Sequence, residues 1–74
     1  MLRNRVRAVR KSRGISQEAL AASAGIARYT LYVIEQDRGH EPQSRAMVGI
    51  AEALGVEMGD LFWTEAPEPV AVAS

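Results

Sequence analysis

The chain contains no cysteine, one histidine and four aromatic residues: two tyrosines, one tryptophan and one phenylalanine. Without cysteine there is no disulfide, no thiolate metal site and no thiol nucleophile. His40 has no second histidine with which to share a metal, so no metal ligands are expected. No glycine-rich phosphate loop occurs, and no paired carboxylates stand in an apolar setting. The expectation is a chain that is not an enzyme, uses no cofactor and shows no evident small-molecule ligand. Long apolar runs are also missing. The longest falls far below the ~20 residues needed to span a bilayer, so no membrane partner is expected. Residues 1–13 are basic with no apolar run after them, which gives no secretory signal and a cytoplasmic expectation.

A length of 74 residues suits one domain. A domain of this size buries only about 60% of its unfolded surface, so its core is modest. The formal net charge is zero, yet the charge is segregated. Residues 1–34 hold Arg3, Arg5, Arg7, Arg10, Lys11, Arg13 and Arg28 against Glu18 alone. Residues 35–74 hold Arg38 and Arg45 against Glu35, Asp37, Glu41, Glu52, Glu57, Asp60, Glu65 and Glu68. Such a dipolar chain can turn a basic face to a polyanion while its far side stays acidic. A solvated basic helix without a partner accounts for the asymmetry equally well.

Periodicity predicts helices and no strands. Leu2, Val6 and Val9 form one stripe of a first helix, which Gly14 can stop, with Ile15 packing back. Ser16 is a good N-cap for a second helix, with Glu18 in its first turn. Ala19, Leu20, Ala21, Ala22 and Ala24 give that helix small side chains that allow close approach, and Gly25 ends it. Ile26 reads as a buried turn residue. A third helix from about Arg28 to Gln36 turns Leu31 and Ile34 inward. Arg28, Tyr29, Tyr32 and Val33 lie on or near its outward side. Asp37 to Pro42 is loop by composition. Pro42 can start a fourth helix lined by Met47, Ile50, Ala51 and Leu54, ended by Gly55. Gly49 costs this helix roughly 1 kcal/mol against alanine, so it marks either close packing or an exposed site of no consequence. Val56 seals the base. Residues Glu57 to Trp63 hold one or two last turns, with Leu61 and Phe62 completing the core. Residues 64–74 carry Pro67 and Pro69 and read as a mobile tail.

Two short helices joined through a glycine turn are a helix-turn-helix signature that generic helical hairpins share. The longer string is more specific. Residues 13–36 read RGISQEALAASAGIARYTLYVIEQ, and residues 42–62 continue as P-x7-I-A-x-A-L-G-V-x4-L-F. Together they resemble the phage repressor/Cro (XRE) family of transcriptional regulators over residues 3–63. The resemblance implies an all-α, five-helix, lambda-repressor-like domain over residues 1–63. It also implies sequence-specific binding of double-stranded DNA, with residues 28–36 as the recognition helix in the major groove.

Carried over position by position, the resemblance gives Arg28, Tyr29, Tyr32 and Val33 as base contacts. An arginine there can bond guanine O6 and N7 in bidentate fashion, and Tyr29 and Val33 can pack on a thymine methyl. Tyr32 packing on the loop is the plainer alternative. Ser16, Gln17 and Thr30 are expected at the DNA backbone, with Arg38, Gln43, Ser44 and Arg45 meeting it from the other side. His40 is expected as a solvated loop residue. Ala27 departs from the family, which usually has a serine, threonine or asparagine N-cap there; alanine forfeits about 1 kcal/mol. Arg10 and Glu35 match a family ion pair. They are expected to be partly buried, to orient the recognition helix and to leave Arg10 near a phosphate. Arg13 can serve either as a contact or as solvated charge.

The family usually binds palindromic operators as homodimers. Met58, Leu61 and Trp63 are the expected interface, with Phe62 assigned to the core, and a repressor is the expected role. The rival reading is an antitoxin or anti-repressor, a protein-binding module on the same fold that uses Trp63 and the apolar tail Val70-Ala71-Val72-Ala73.

Overall fold

A computed structural model of the chain describes residues 2–36 and 42–64. Among them are helices α1 (Val6–Ser12), α2 (Gln17–Ala24), α3 (Arg28–Glu35), α4 (Ser44–Leu54) and α5 (Met58–Leu61), with strands β1 (Leu2–Asn4) and β2 (Phe62–Thr64). Helices α2 and α3 form where the periodicity places them. Their ends follow from capping chemistry. Ser16 Oγ accepts from the Ala19 amide at 3.0 Å and starts α2. At the other end Gly25 takes a left-handed conformation, φ 73°, which a Cβ would penalise. The Ile26 amide then donates to Ala21 O and the Gly25 amide to Ala22 O. This pair of bonds satisfies the last carbonyls and turns the chain sharply. The same pairing closes α1 before Ile15 and α4 before Val56. Each closure is followed by an aliphatic residue that packs on the core.

The core joins Val6, Leu20, Leu31, Ile34, Ile50, Leu54, Leu61 and Phe62, with Ala21, Ala46 and Ala51 filling the narrow approaches. Helices α2 and α4 pack most extensively. Gly49 is the reason they can. A Cβ there would run into the Ala24 carbonyl oxygen, so the close-packing reading of Gly49 holds.

Four expectations need correction. The domain is not strictly all-α, because β1 and β2 pair antiparallel with Leu2 opposite Thr64, Arg3 opposite Trp63 and Asn4 opposite Phe62. Leu2 therefore reaches the core from a strand, and α1 begins four residues later at Val6. Asn4 forces this boundary: its side-chain oxygen accepts the Val6 amide, a local turn that competes with helix. Helix α4 begins at Ser44, two residues beyond Pro42, and Ala46 is buried while Met47 is only partly so. The last helix is a single turn, the shorter of the two expected lengths, and what changes is that Phe62, Trp63 and Thr64 form a strand, which suits them. Thr64 is thus part of the ribbon, whereas residues 65–74 lie outside the described residues.

Substituting Gly49→Ala gains roughly 1 kcal/mol of helix propensity, and the clash with backbone must exceed it. Overpacking of this kind costs about 1–3 kcal/mol. A net loss of stability is expected in urea denaturation. An unchanged or raised midpoint would show that α2 and α4 do not approach this closely.

Candidate nucleic-acid interface

Three residues, Gly25-Ile26-Ala27, join α2 to α3. Gly25 sets the turn and Ile26 tucks against the core. Leu31 and Ile34 face inward, so Tyr29 and Tyr32 must face outward. Tyr29 is 74% exposed and Tyr32 48%. Their rings stack, with centroids 6.2 Å apart and planes at 28°. Tyr32 thus braces Tyr29. Arg28 and Thr30 are exposed beside them and Val33 is partly so. Ala27 offers no side-chain cap to the start of α3.

The far end of α3 is held firmly. Arg10 Nε donates to Glu35 Oε2 at 2.7 Å, and Arg10 Nη2 donates to Glu35 Oε1 at 3.1 Å. The remaining nitrogen, Nη1, donates to Ile15 O at 2.8 Å. Gln17 Nε2 adds a bond to Glu35 Oε1 at 3.0 Å. One carboxylate therefore joins α1, α2 and α3. Arg10 and Glu35 are each only 8% exposed. The pair is buried rather than partly buried, and its planar fork meets the carboxylate along two parallel bonds. One site expectation changes with it, and Gln17 gains a second partner. Arg10, 8% exposed and with each guanidinium nitrogen bonded inside the domain, presents little of its charge to a phosphate. Gln17 spends a donor on Glu35, a partner that its first-turn position alone did not reveal.

Other cations are also committed inside the domain. Arg13 Nη1 bonds Leu54 O, the terminal carbonyl of α4, which makes Arg13 a helix-end cap. The Arg5 guanidinium lies 5.0 Å from the centroid of the Trp63 ring. Arg5 and Arg13 stay exposed despite these contacts, as do Arg7, Lys11, Arg28 and Arg45. Of the basic residues named here, Arg10 alone is withdrawn from the surface, while Arg5 and Arg13 serve internal contacts from exposed positions.

A cleft of about 520 Å³ opens between the turn, α3 and the start of α4. Tyr29, Thr30 and Val33 line one wall, and Gln43 and Arg45 line the other. Candidates for base and backbone contact from two distant stretches thus meet at one opening. Ser44 is exposed at the first turn of α4. Arg38 and His40 lie outside the described residues. At the ribbon end, Met58 and Trp63 are exposed, but Leu61 is fully buried. Leu61 is a core residue and presents no side chain to a second chain, which corrects its place in the expected dimer interface. Among the described residues, no three or more His, Cys, Asp or Glu side chains gather to hold a metal. No described helix is long and apolar enough to cross a membrane.

The arrangement of two short helices around a glycine turn has counterparts among known proteins. A model described as a helix-turn-helix domain matches residues 4–66. The chain belongs to the helix-turn-helix transcriptional regulators of the phage repressor/Cro (XRE) type. It is 33% identical over 64 residues to the uncharacterized HTH-type transcriptional regulator YgzD of Bacillus subtilis (strain 168), covering 86% of this chain and 96% of that protein. Among solved structures it is similar to the N-terminal DNA-binding domain of SinR, the master biofilm regulator of Bacillus subtilis. That match has 27% identity and a TM-score of 0.64, over 74% of this chain and 80% of the other.

Removing the Glu35 carboxylate would leave Arg10 buried and unpaired. Glu35→Ala is expected to lose about 3–5 kcal/mol, whereas the double change Arg10→Met with Glu35→Leu should recover most of it, since a buried pair often breaks even against apolar replacements. Urea denaturation of the three proteins reads this directly. A Glu35→Ala protein as stable as wild type would mean that the network holds nothing.

Proposed function

We propose that the chain is a sequence-specific repressor that reads double-stranded DNA with α3 in the major groove. The reading rests chiefly on one observation: α3 is locked at its Glu35 end and exposes Arg28 and Tyr29 at the other. A fixed helix with a free polar start suits base readout, because bidentate bonds tolerate little displacement. Arg28 takes a guanine edge. Tyr29, braced by Tyr32, packs on a thymine methyl or bonds a base, and Val33 adds apolar contact. Ser16, Gln17, Thr30, Gln43, Ser44 and Arg45 meet phosphates on either side and fix the register.

Two copies act together on a palindromic operator in the cytoplasm, with half-sites about one helical turn apart. Met58 and Trp63 supply the apolar contact between them. They are among the few large hydrophobic side chains left exposed away from α3.

Selection from random duplexes would supply an operator sequence, and fluorescence anisotropy at several salt concentrations would then measure affinity. Arg28→Ala is expected to lose about 1–3 kcal/mol on the selected duplex and little on a scrambled one. Arg45→Ala should weaken both alike and lower the log–log salt slope by about one. If no duplex is enriched, the regulator reading fails in favour of a protein-binding module centred on Trp63. Sedimentation should find two protomers on the selected duplex; a single protomer would rule out the dimer.

A further inference from the structure

We propose that Asn4 is a positioning residue for DNA recognition, its side-chain amide fixing the end of α3 to the β1–β2 ribbon. The proposal rests on the reading of α3 as the recognition helix. Asn4 Oδ1 accepts from the Val6 amide at 3.0 Å, and Asn4 Nδ2 donates to Ile34 O at 3.0 Å. These partners settle which way the amide faces. A backbone N–H can only donate and a carbonyl can only accept, so the oxygen meets Val6 and the nitrogen meets Ile34. Ile34 O belongs to the last turn of α3, whose Gln36 cap amide also points at it. Asn4 brings this carbonyl a side-chain donor from 30 residues away in sequence.

The anchor itself is held in place. Asn4 pairs opposite Phe62 in the ribbon, and the next amide, Arg5, donates to Leu61 O at 3.0 Å. Phe62 and Leu61 are buried in the core. The amide therefore ties α3 to a segment that cannot easily follow it. Its leverage is large because the reading end lies far from the tie. Arg28 starts α3 six residues before Ile34, roughly 9 Å along the axis at 1.5 Å per residue. A tilt of about 6° at the anchored end moves Arg28 by roughly 1 Å, enough to spoil a bidentate hydrogen bond. Asparagine is suited to the task because one short side chain carries both an acceptor and a donor. Aspartate keeps the acceptor and loses the donor, and serine keeps an acceptor without the reach.

Asn4→Asp and Asn4→Ser separate the tie to α3 from the local turn before α1, since both can still accept from the Val6 amide. Each is measured beside wild type on the duplex selected for wild type and on a scrambled duplex, below the melting range of all three proteins. Both variants are expected to bind the selected duplex about three- to tenfold more weakly, the effect of one lost hydrogen bond. Asn4→Ser should bind the scrambled duplex as wild type does. Asn4→Asp adds a negative charge that weakens both duplexes alike, so its ratio of selected to scrambled affinity carries the effect. An unchanged ratio in folded Asn4→Ser protein overturns the proposal, because a merely structural role would lower the melting temperature and leave the ratio alone. If wild type enriches no duplex, the reading of α3 fails first and takes this proposal with it. If wild type binds its duplex and the ratio holds in both variants, only the role of Asn4 is lost.

Discussion

Glu35 places a carboxylate where three helices meet, and the orientation of α3, the helix proposed to read DNA, depends on it. Arg10 reaches it from α1 and Gln17 from α2, while the carboxylate itself rides on α3. Burying two charges is costly, and attraction compensates only when geometry and hydrogen bonding are good. Both conditions are met here. The guanidinium makes two bonds to the carboxylate and a third to Ile15 O, so each of its nitrogens has a partner. An apolar contact at the same place could hold the helices together equally well. It would not set their angle, because apolar contact is non-directional. The bidentate pair specifies the angle as well as the proximity.

That anchoring gives α3 two unlike ends. The C-terminal end carries Glu35 and the Ile34 carbonyl, both engaged by other elements. The N-terminal end has alanine at its cap position and exposed Arg28 and Tyr29. A capping side chain would stabilise the helix by about 1 kcal/mol, so the chain forgoes some stability there. Small domains have little to spare. The remaining stability comes from elements that sequence patterns display poorly: the Gly49 approach to Ala24, the Arg13 cap on α4, and the ribbon that brings the two described ends of the domain together.

Much of this architecture was legible in the residues. The helix stops at Gly14, Gly25 and Gly55, the Ser16 cap and the inward pair Leu31 and Ile34 follow from local chemistry, which neighbouring residues reveal. The ribbon was not legible. Strands of three residues are too short to show an alternating pattern, and Leu2 happened to fall on a helical stripe with Val6 and Val9. The clue was Asn4, a poor helix former and a good turn former, placed just before Val6. Leu61 was assigned both to the core and to the interface beside exposed Met58 and Trp63, and its full burial settles it in the core. The Arg10–Glu35 partnership came from family resemblance. Its burial, and the part of Gln17 in it, depend on tertiary packing that spacing does not encode. The internal partners of Arg5, Arg10 and Arg13 were hidden for the same reason, although only Arg10 is buried.

The central claim is that one face, built from the start of α2, the start of α3 and the start of α4, meets DNA. The most direct test is an amide NMR titration of the intact chain with its selected duplex. Shifts should concentrate on residues 16–17, 28–33 and 43–45, and the amides around Met58 and Trp63 should move only as two copies come together. Large shifts confined to the ribbon and α5, with residues 28–33 unmoved, would contradict the account.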